Sequence, residues 1–435
     1  MKFSIRRIDF FERPVKLRMP FRFGVVTLTH APQAFVRAEI ALEGGKASVG
    51  GAAELLAPKW FDKNPALSND DNFEQLRASM RKARAAYLSG GSNDAYGHSR
   101  PTVGLVENYG AALIDRAVLD ALCRALGISF YEAVRKNVVG LDLPPQFLAG
   151  LTPRDAIAAR HTVGLVDPIS SVEKRVNDGL PETLEEVIAH YGHRWFKLKV
   201  GGDIKADVER LSAIAAVLDR LPEYHASLDG NEQYEDAGQV LELLSKIRSD
   251  KRLKRLFSGI VFIEQPIKRQ NVLAQDVSAL SAEKPVIIDE SDDSLDAFPR
   301  ARALGYKGVS SKTCKGMYKA LINAARCKEW GSGYFMSGED LTIQAGLALQ
   351  QDLALVSLLG LAHVERNGHH YVNGMAGLPA AEQKNFLDSH QDLYEFSHGA
   401  VRLHIKGGTI RMESLDCPGY ASRVLPDWKT MKEMR

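Results

Sequence analysis

The chain has 435 residues, of which 45% are hydrophobic and 25% are charged, and its formal net charge is +2. This length predicts one large domain with a second, and the near balance of charge argues against nucleic-acid or membrane-surface binding. Four scattered cysteines without a CxxC pair predict a reducing compartment and no disulfide framework.

Targeting signals are absent from the parts of the sequence where we expect them. No apolar run reaches 18 residues, so we expect no membrane-spanning helix. Residues 1–7 carry positive charge, but no apolar segment follows them, and we expect no secretory signal. Cytoplasm is therefore the predicted location.

The first part of the chain predicts an α+β domain. Apolar residues alternate with polar ones over residues 35–42, which is typical of antiparallel strands, and residues 18–24 are interpreted as a loop. Residues 106–126 have helical periodicity, and Gly127 follows as a predicted cap. Pro144-Pro145 indicates a domain joint, so residues 1–143 form the predicted first domain.

After Pro145, short apolar runs alternate with helical stretches about eight times, which is the pattern expected of a β/α barrel. This barrel is predicted for residues 144–374. The alternation does not continue in residues 375–435, where 401–405 and 409–412 are predicted to form a hairpin around Lys406-Gly407-Gly408. The predicted barrel strands are 161–166, 195–200, 225–228, 259–263, 285–288, 308–311, 334–336 and 361–364.

Two lysines stand out in the second predicted barrel strand. Lys197 and Lys199 are two residues apart in an apolar run, so their side chains point to the same face. Mutual repulsion and desolvation would lower their pKa values, and a lysine that can lose its proton can act as a base. The alternative is an ordinary strand whose lysines extend to solvent.

Carboxylates end the next three predicted strands. They are Asp229 in Asp-Gly-Asn, Glu264 in Glu-Gln-Pro, and the pair Asp289-Glu290. In a β/α barrel these ends meet at one rim, and a cluster of carboxylates prefers a hard cation, Mg²⁺ or Mn²⁺. Any one of them could instead cap a helix, but three in succession favour a metal site.

A lysine, Lys312, ends the sixth predicted strand, so lysine-bearing strands flank the acidic ones. Lys199 and Lys312 could then face each other across a metal-bound substrate. This arrangement suits removal of the proton α to a carboxylate, because a divalent cation stabilises the charge that develops.

The order Lys-x-Lys, Asp-x-Asn, Glu-Gln-Pro, Asp-Glu-Ser and a sixth-strand lysine resembles the muconate-lactonizing subgroup of the mandelate racemase/muconate lactonizing enzyme family, in the enolase superfamily. The resemblance covers nearly the whole chain. It implies the α/β class, with a modified TIM barrel, (β/α)₇β, over residues 144–374. It also implies an α+β capping domain over residues 1–143, completed by residues 375–435.

The resemblance also implies roles for individual residues. Asp289 is chosen over Glu290 as a ligand on the subgroup pattern alone. Asn231 and Glu290 would orient the ligands and Lys312. The implied metal ligands are Asp229, Glu264 and Asp289, for Mg²⁺ or Mn²⁺, and the implied catalytic residues are Lys199, Lys312 and Lys197, the last of which would lower the pKa of Lys199 and touch the substrate carboxylate.

Substrate specificity would come from two cap loops, which match residues 20–30 and 49–56, and from the last two barrel strands. The candidate substrate-binding residues are Arg22, His30, Glu339 and Glu365. No Asp-x-Asp follows the eighth strand, which argues against a dipeptide substrate. His369-His370 is interpreted as a surface pair.

Three functions remain open at this stage. The first is racemisation or epimerisation of a small-molecule carboxylate by two opposed lysines. The second is a cycloisomerase or syn-dehydratase with one basic lysine, and the third is a non-catalytic barrel that binds metal or carboxylate. In each case we expect a homo-oligomer that binds neither nucleic acid nor membrane.

Overall fold

The structure is a computed structural model that describes residues 1–434. Its elements are numbered here in chain order. The strands are β1 Phe3–Phe23, β2 Val26–Leu42, β3 Ala47–Leu55, β4 Ser92–Asn93, β5 Ala156–Val163, β6 Trp195–Lys199, β7 His225–Asp229, β8 Ile260–Glu264, β9 Val286–Ile288, β10 Gly308–Ser311, β11 Phe335–Gly338, β12 His363–Arg366, β13 Tyr394–Ser397, β14 Ala400–Leu403, β15 Thr409–Arg411 and β16 Lys432–Glu433. The helices are α1 Asn69–Leu88, α2 Ala95–His98, α3 Leu105–Leu126, α4 Phe130–Arg135, α5 Pro145–Ala149, α6 Leu184–Tyr191, α7 Ile204–Leu218, α8 Ala237–Ser249, α9 Lys254–Gly259, α10 Arg269–Val272, α11 Ser278–Glu283, α12 Ala297–Ala303, α13 Met317–Trp330, α14 Leu347–Leu358, α15 Gly368–Tyr371 and α16 Ala380–Ser389.

An antiparallel sheet in the order β16-β1-β2-β3, with β4 also paired to β1, forms the cap together with α1 and α3. Helix α3 packs directly on β3, because Gly50 leaves no side chain between them. A Cβ at Gly50 would lie 2.3 Å from the carbonyl oxygen of Ala117. The far end of the β1–β2 hairpin reaches the barrel, where Phe21, Phe23 and Leu28 line a cavity together with barrel residues.

The loop predicted for residues 18–24 is wrong, because β1 continues to Phe23 and pairs with β2 through a tight turn. Phe21 and Phe23 are buried while Arg22 between them is exposed, which is the period of a strand. Gly24 makes the turn with φ at +49°, a conformation that suits glycine.

Eight parallel strands, β5 to β12, form a closed barrel, because β12 pairs with β5. All eight overlap the predicted strands, but the first begins earlier, at Ala156 instead of 161. The closed barrel and the separate antiparallel cap confirm the fold class predicted from the sequence.

The C-terminal segment contacts both parts of the molecule. The predicted turn at Lys406-Gly407-Gly408 is present, because Lys406 and Thr409 exchange backbone hydrogen bonds. The predicted pairing of 401–405 with 409–412 is wrong: β14 pairs with β13, and β15 joins β5, where Ile410 is buried against the barrel. Strand β16 pairs with β1, which supports the proposed return of residues 375–435 to the cap. Among residues 1–434, no helix is both long and apolar enough to cross a membrane.

One buried carboxyl in the cap predicts a pH-dependent stability. Burial raises the pKa of Asp115 to about 7, although Tyr87 and Ser99 donate hydrogen bonds to it at 2.6 and 2.7 Å. The folded protein therefore holds a proton that the unfolded chain releases near pH 4. The free energy of unfolding should fall as pH rises from about 4 to about 7, by about 1.4 kcal/mol per pH unit from this group.

Asp115→Asn, which mimics the protonated form, should lose this slope. The measurement is urea unfolding of both proteins across that pH range, with the exposed Glu43→Gln as control. Parallel pH profiles for wild type and Asp115→Asn would contradict the assignment.

Candidate active site

The predicted lysines and carboxylates meet, buried, at the carboxyl rim of the barrel. Lys199 ends β6, and Lys312 directly follows β10. Strands β6 and β10 are four strands apart in a closed ring of eight, so they stand on opposite sides of the barrel. Both lysines line one cavity.

Lys197 lies among four carboxylates. Its Nζ is 2.9 Å from Asp229, 2.7 Å from Glu264, 2.8 Å from Glu339 and 2.9 Å from Glu365. Burial alone would lower the pKa of Lys197, but attraction to these carboxylates raises it well above its usual range. The predicted mutual lowering of the two lysine pKa values is therefore wrong for Lys197, because carboxylates rather than Lys199 dominate its surroundings.

Lys199 is held by the polar residues that end β7. Its Nζ donates to Asp229 Oδ2 at 2.5 Å and to Asn231 Oδ1 at 2.7 Å. Asn231 has φ at +39°, and its backbone N–H donates to Asp229 Oδ1 at 2.8 Å. Asn231 thus links Lys199 to a predicted metal ligand, and its side chain donates to Glu290 at 3.2 Å.

Lys312 is held on the opposite side. Its Nζ donates to Asp289 Oδ2 at 2.6 Å and lies 4.3 Å from the centre of the Trp60 ring, a cation–π distance. Burial alone would lower the pKa of Lys312, but Asp289 raises it above its usual range.

Lys315 also binds Asp289, at 3.3 Å, and was missed from the sequence. Its position one helical turn after Lys312 was an available signal.

The cap supplies two residues that sequence reasoning missed, Trp60 and Lys63. Lys63 lies 3.1 Å from Glu290, so this carboxylate faces Lys63 and Asn231 rather than Lys312, contrary to the predicted role of Glu290. Arg269 fixes the cap segment by donating to the backbone carbonyl oxygens of Trp60 and Phe61, both at 2.9 Å. Nothing in the local sequence indicates this contact across 208 residues.

The cavity has a volume of about 20 Å³ and an apolar cover. Arg22 and His30 are exposed and do not line the cavity. Side chains alternate between the two faces of a strand, and here the neighbouring Phe21, Phe23 and Leu28 face the cavity. The cavity is lined by the apolar residues Phe21, Phe23, Leu28, Ala57, Trp60 and Leu341 and by the polar residues Lys197, Lys199, Asn231, Lys312, Asp340, Thr342, Glu365 and Asn367.

Glu339 and Glu365 take different positions. Glu365 lines the cavity and accepts from Thr162 Oγ1 at 2.6 Å. Glu339 is buried behind it, where Arg160 and Lys197 pair with it. Contact with a substrate is therefore open to Glu365 but not to Glu339 in this arrangement.

The chemistry of the predicted ligand set fits a hard divalent cation. Asp229, Glu264 and Asp289 are fully buried oxygen donors at adjacent strand ends. Apart from the ion pair of Oε2 with Lys197 Nζ, at 2.7 Å, neither oxygen of Glu264 has a polar partner, and burial with the neighbouring Asp229 and Glu339 raises its pKa well above the usual range. A carboxylate so placed is poorly satisfied by Lys197 alone, which supports a metal site here.

We expect Mg²⁺ to raise the thermal unfolding midpoint of the wild-type protein, because a ligand that binds only the folded state stabilises it. The gain is about 2.7 kcal/mol when Mg²⁺ is at 100 times its Kd. Glu264→Gln should lose most of this response, and Glu339→Gln, which changes a neighbour that is not a predicted ligand, should keep it. Equal Mg²⁺ responses in Glu264→Gln and wild type would contradict the ligand assignment.

His369-His370 is not the surface pair predicted from the sequence. His370 is buried and His369 is half-buried, on the outer side of β5. Burial lowers the pKa of His370 to about 3 and that of the neighbouring His193 to about 4. These imidazoles are therefore neutral at physiological pH.

Fold and site together define a capped β/α-barrel protein with buried lysines and carboxylates at its carboxyl rim. Residues 179–421 match the family model described as "Enolase C-terminal domain-like". The chain belongs to this family, the mandelate racemase/muconate lactonizing branch of the enolase superfamily.

Solved structures with the same fold cover almost the whole chain at low sequence identity. The N-succinyl Arg/Lys racemase from Bacillus cereus has 17% identity and a TM-score of 0.65, with 98% of this chain and 96% of that one covered. The muconate lactonizing enzyme from Pseudomonas fluorescens has 18% identity and a TM-score of 0.63, with coverage of 98% and 97%.

A third structure, an enolase from Bradyrhizobium complexed with magnesium and mandelic acid, has 15% identity and a TM-score of 0.65, with coverage of 100% and 99%. No curated protein sequence matches the chain. At these identities the likeness establishes the fold, and the reaction must be argued from the site.

Proposed function

We propose that the protein removes the proton α to a substrate carboxylate with the help of a divalent metal, and that it racemises or epimerises that carbon. The observation that carries this proposal is the pair Lys199 and Lys312, which line one cavity from opposite sides of the barrel. Inversion at a carbon requires one group to take the proton from one face and another to return it to the other face.

Each lysine has one task in this scheme. Lys199, as the neutral amine, takes the α-proton of one enantiomer and becomes an ammonium, and Lys312, as an ammonium, donates a proton to the opposite face and becomes the neutral amine. The roles reverse for the other enantiomer. Asn231 and Asp229 orient Nζ of Lys199, and Asp289 with the Trp60 ring orients Nζ of Lys312.

Asp229, Glu264 and Asp289 would hold Mg²⁺ or Mn²⁺. When bound, the metal supplies positive charge that stabilises the negative charge developing on the substrate carboxylate. Lys197, between these acids and Glu365, adds a fixed ammonium at the base of the site.

The cover of the cavity favours a substrate with an apolar group. Phe21, Phe23 and Leu28 face the cavity, whereas Arg22 and His30 face solvent. A cavity of about 20 Å³ has room for a water molecule and not for an amino acid. Side chains that line the cavity must therefore shift to admit substrate, and the apolar residues of the β1–β2 hairpin would then cover it.

A second candidate is a one-base reaction, a cycloisomerisation or syn-dehydration. The observation that favours it is the anchoring of Lys312, whose ammonium is bound by Asp289 and covered by Trp60. An ammonium so held would serve as a fixed cation, and Lys199 would act alone as the base.

The test is hydrogen–deuterium exchange, followed by NMR in D₂O with Mg²⁺, over pooled amino acids, N-acyl amino acids, hydroxy acids and sugar acids. The proposal expects α-deuteration of a carboxylate with an apolar substituent. Elimination or ring closure in place of inversion would favour the second candidate. No exchange from any pool, with Mg²⁺ bound, would contradict both and leave a non-catalytic barrel.

A further inference from the structure

Three histidines outside the catalytic site meet at the joint where the barrel closes. His161 is on β5, His193 lies two residues before β6, and His369 is in α15, the short helix that follows β12. Strands β12 and β5 are the last and first of the barrel, and their pairing completes the ring. A link between these histidines would therefore tie the closing strands together.

The cluster lies on the outer side of the barrel wall. Arg160 and Thr162 point inward, because Arg160 binds Glu339 and Thr162 binds Glu365. Successive side chains of a strand point to opposite faces, so His161 points outward. The barrel wall separates this cluster from the lysines and carboxylates of the catalytic cavity.

The geometry of the three imidazoles suits a shared ligand. One ring nitrogen from each lies within 4.8 Å of the others. The rings of His161 and His193 stack with centroids 5.2 Å apart, and the His369 ring lies 5.5 and 5.4 Å from them. His161 is 2% exposed and His193 is 0% exposed.

Hydrogen bonding leaves nitrogen lone pairs without partners in the cluster. His193 Nδ1 must donate to the Ala159 carbonyl oxygen, at 3.1 Å, so its Nε2 carries a lone pair. That Nε2 is buried without a hydrogen-bond partner, as are Nδ1 of His161 and both ring nitrogens of His369. A hydrogen bond from one ring nitrogen to a backbone carbonyl is the usual support of a metal-binding histidine.

We propose that His161, His193 and His369 bind a borderline transition-metal ion, with Zn²⁺ as the first choice. Three neutral imidazoles suit Zn²⁺, Co²⁺ or Ni²⁺, whereas Mg²⁺ prefers oxygen ligands. A cavity of about 20 Å³, with His369 and Tyr191 in its wall, has room for a water molecule beside His369.

The charges around the cluster permit a cation. The positive charges of Arg18 and Arg366 act on His369, and each guanidinium is already paired with a carboxylate. Arg18 binds Asp178 at 2.7 Å, and Arg366 binds Asp352. The bound ion would fix α15 against β5 and β6, and so fix Asn367 and Glu365, which precede α15 and line the catalytic cavity.

The experiment uses the full-length protein, stripped with a chelator, reloaded with Zn²⁺ in excess Mg²⁺, desalted and analysed for metal. Wild type should keep about one equivalent of zinc, as a structural site does. His369→Gln should bind it at least about 100-fold more weakly. His369 has no hydrogen-bond partner and is half-buried, so its replacement disturbs the fold least.

Two control variants separate this site from others. His390→Gln removes a buried histidine that already has Ser414 and Arg423 as partners, and it should keep zinc. Asp289→Asn alters the catalytic rim, and it should also keep zinc. Zinc retained by His369→Gln, or lost with Asp289→Asn, would overturn the proposal.

A measurement on the wild-type protein alone needs no variant to fold. X-ray absorption at the zinc edge should show imidazole nitrogen at about 2.0–2.1 Å. An oxygen-only shell, or no retained zinc, would show that the three histidines pack without metal.

Discussion

Replacing either lysine of the opposed pair is expected to abolish racemisation while sparing exchange on one face. In Lys312→Met, Lys199 can still remove the α-proton of one enantiomer and return deuterium to the same face. In Lys199→Met, the other enantiomer should exchange instead. Loss of a positioned acid or base costs about 10²–10⁴ in rate, so interconversion should fall by at least this factor in each variant.

The measurement is the rate of α-deuteration and of inversion for each pure enantiomer of the substrate found by the exchange screen, in both variants. The exposed Lys136→Met is the matched control and should behave as wild type. If Lys312→Met still catalyses elimination or ring closure and shows no α-deuteration of the substrate, the one-base reaction is favoured. If both variants interconvert the enantiomers at the wild-type rate, neither lysine carries the proton.

Replacing Lys197 with methionine should cause the largest loss of stability among the site variants. Its ammonium is within 2.9 Å of four buried carboxylates, and removing one partner of a buried ion pair costs about 3–5 kcal/mol. We expect a loss of this size in the free energy of unfolding without metal, measured by urea denaturation. Lys136→Met, at an exposed ion pair, should change it by less than about 1 kcal/mol.

Mg²⁺ should restore part of the stability of Lys197→Met, and by more than it stabilises wild type. The carboxylates Asp229 and Glu264 would then bind the cation without competition from the ammonium. A loss no greater than that of Lys136→Met would contradict the account, because it would mean that these carboxylates do not depend on Lys197.

The residues at the carboxyl ends of the barrel strands could be located from the sequence. The alternation of apolar runs and helical stretches located all eight barrel strands, and the sequence itself shows which polar residues follow each of them. A barrel brings its strand ends together whatever the intervening helices do, so Lys199, Asp229, Glu264, Asp289 and Lys312 meet at one rim.

The pairing of Lys197 could not be predicted locally. Glu339 and Glu365 lie 142 and 168 residues further along the chain, and only the closure of the barrel brings them to Lys197. Reasoning from the nearest charged neighbour, Lys199, therefore gave the wrong direction for its pKa.

The cap was predicted least well. Residues 18–24 continue a strand, so the charged residue chosen as a substrate ligand, Arg22, points outward and the aromatic residues beside it point inward. Trp60 and Lys63 reach the rim in a segment that Arg269, more than 200 residues away in the chain, holds through two backbone carbonyl oxygens. The three clustered histidines have no metal-site spacing, and only the pairing of β12 with β5 unites them.

The most direct test of the central claim is a time course of each pure enantiomer with the wild-type protein in D₂O and Mg²⁺, followed by NMR and chiral analysis. Two opposed lysines predict that both enantiomers take up one deuterium at the α-carbon and converge on an equal mixture. Exchange of one enantiomer without inversion, or a product of different composition, would contradict the two-base account.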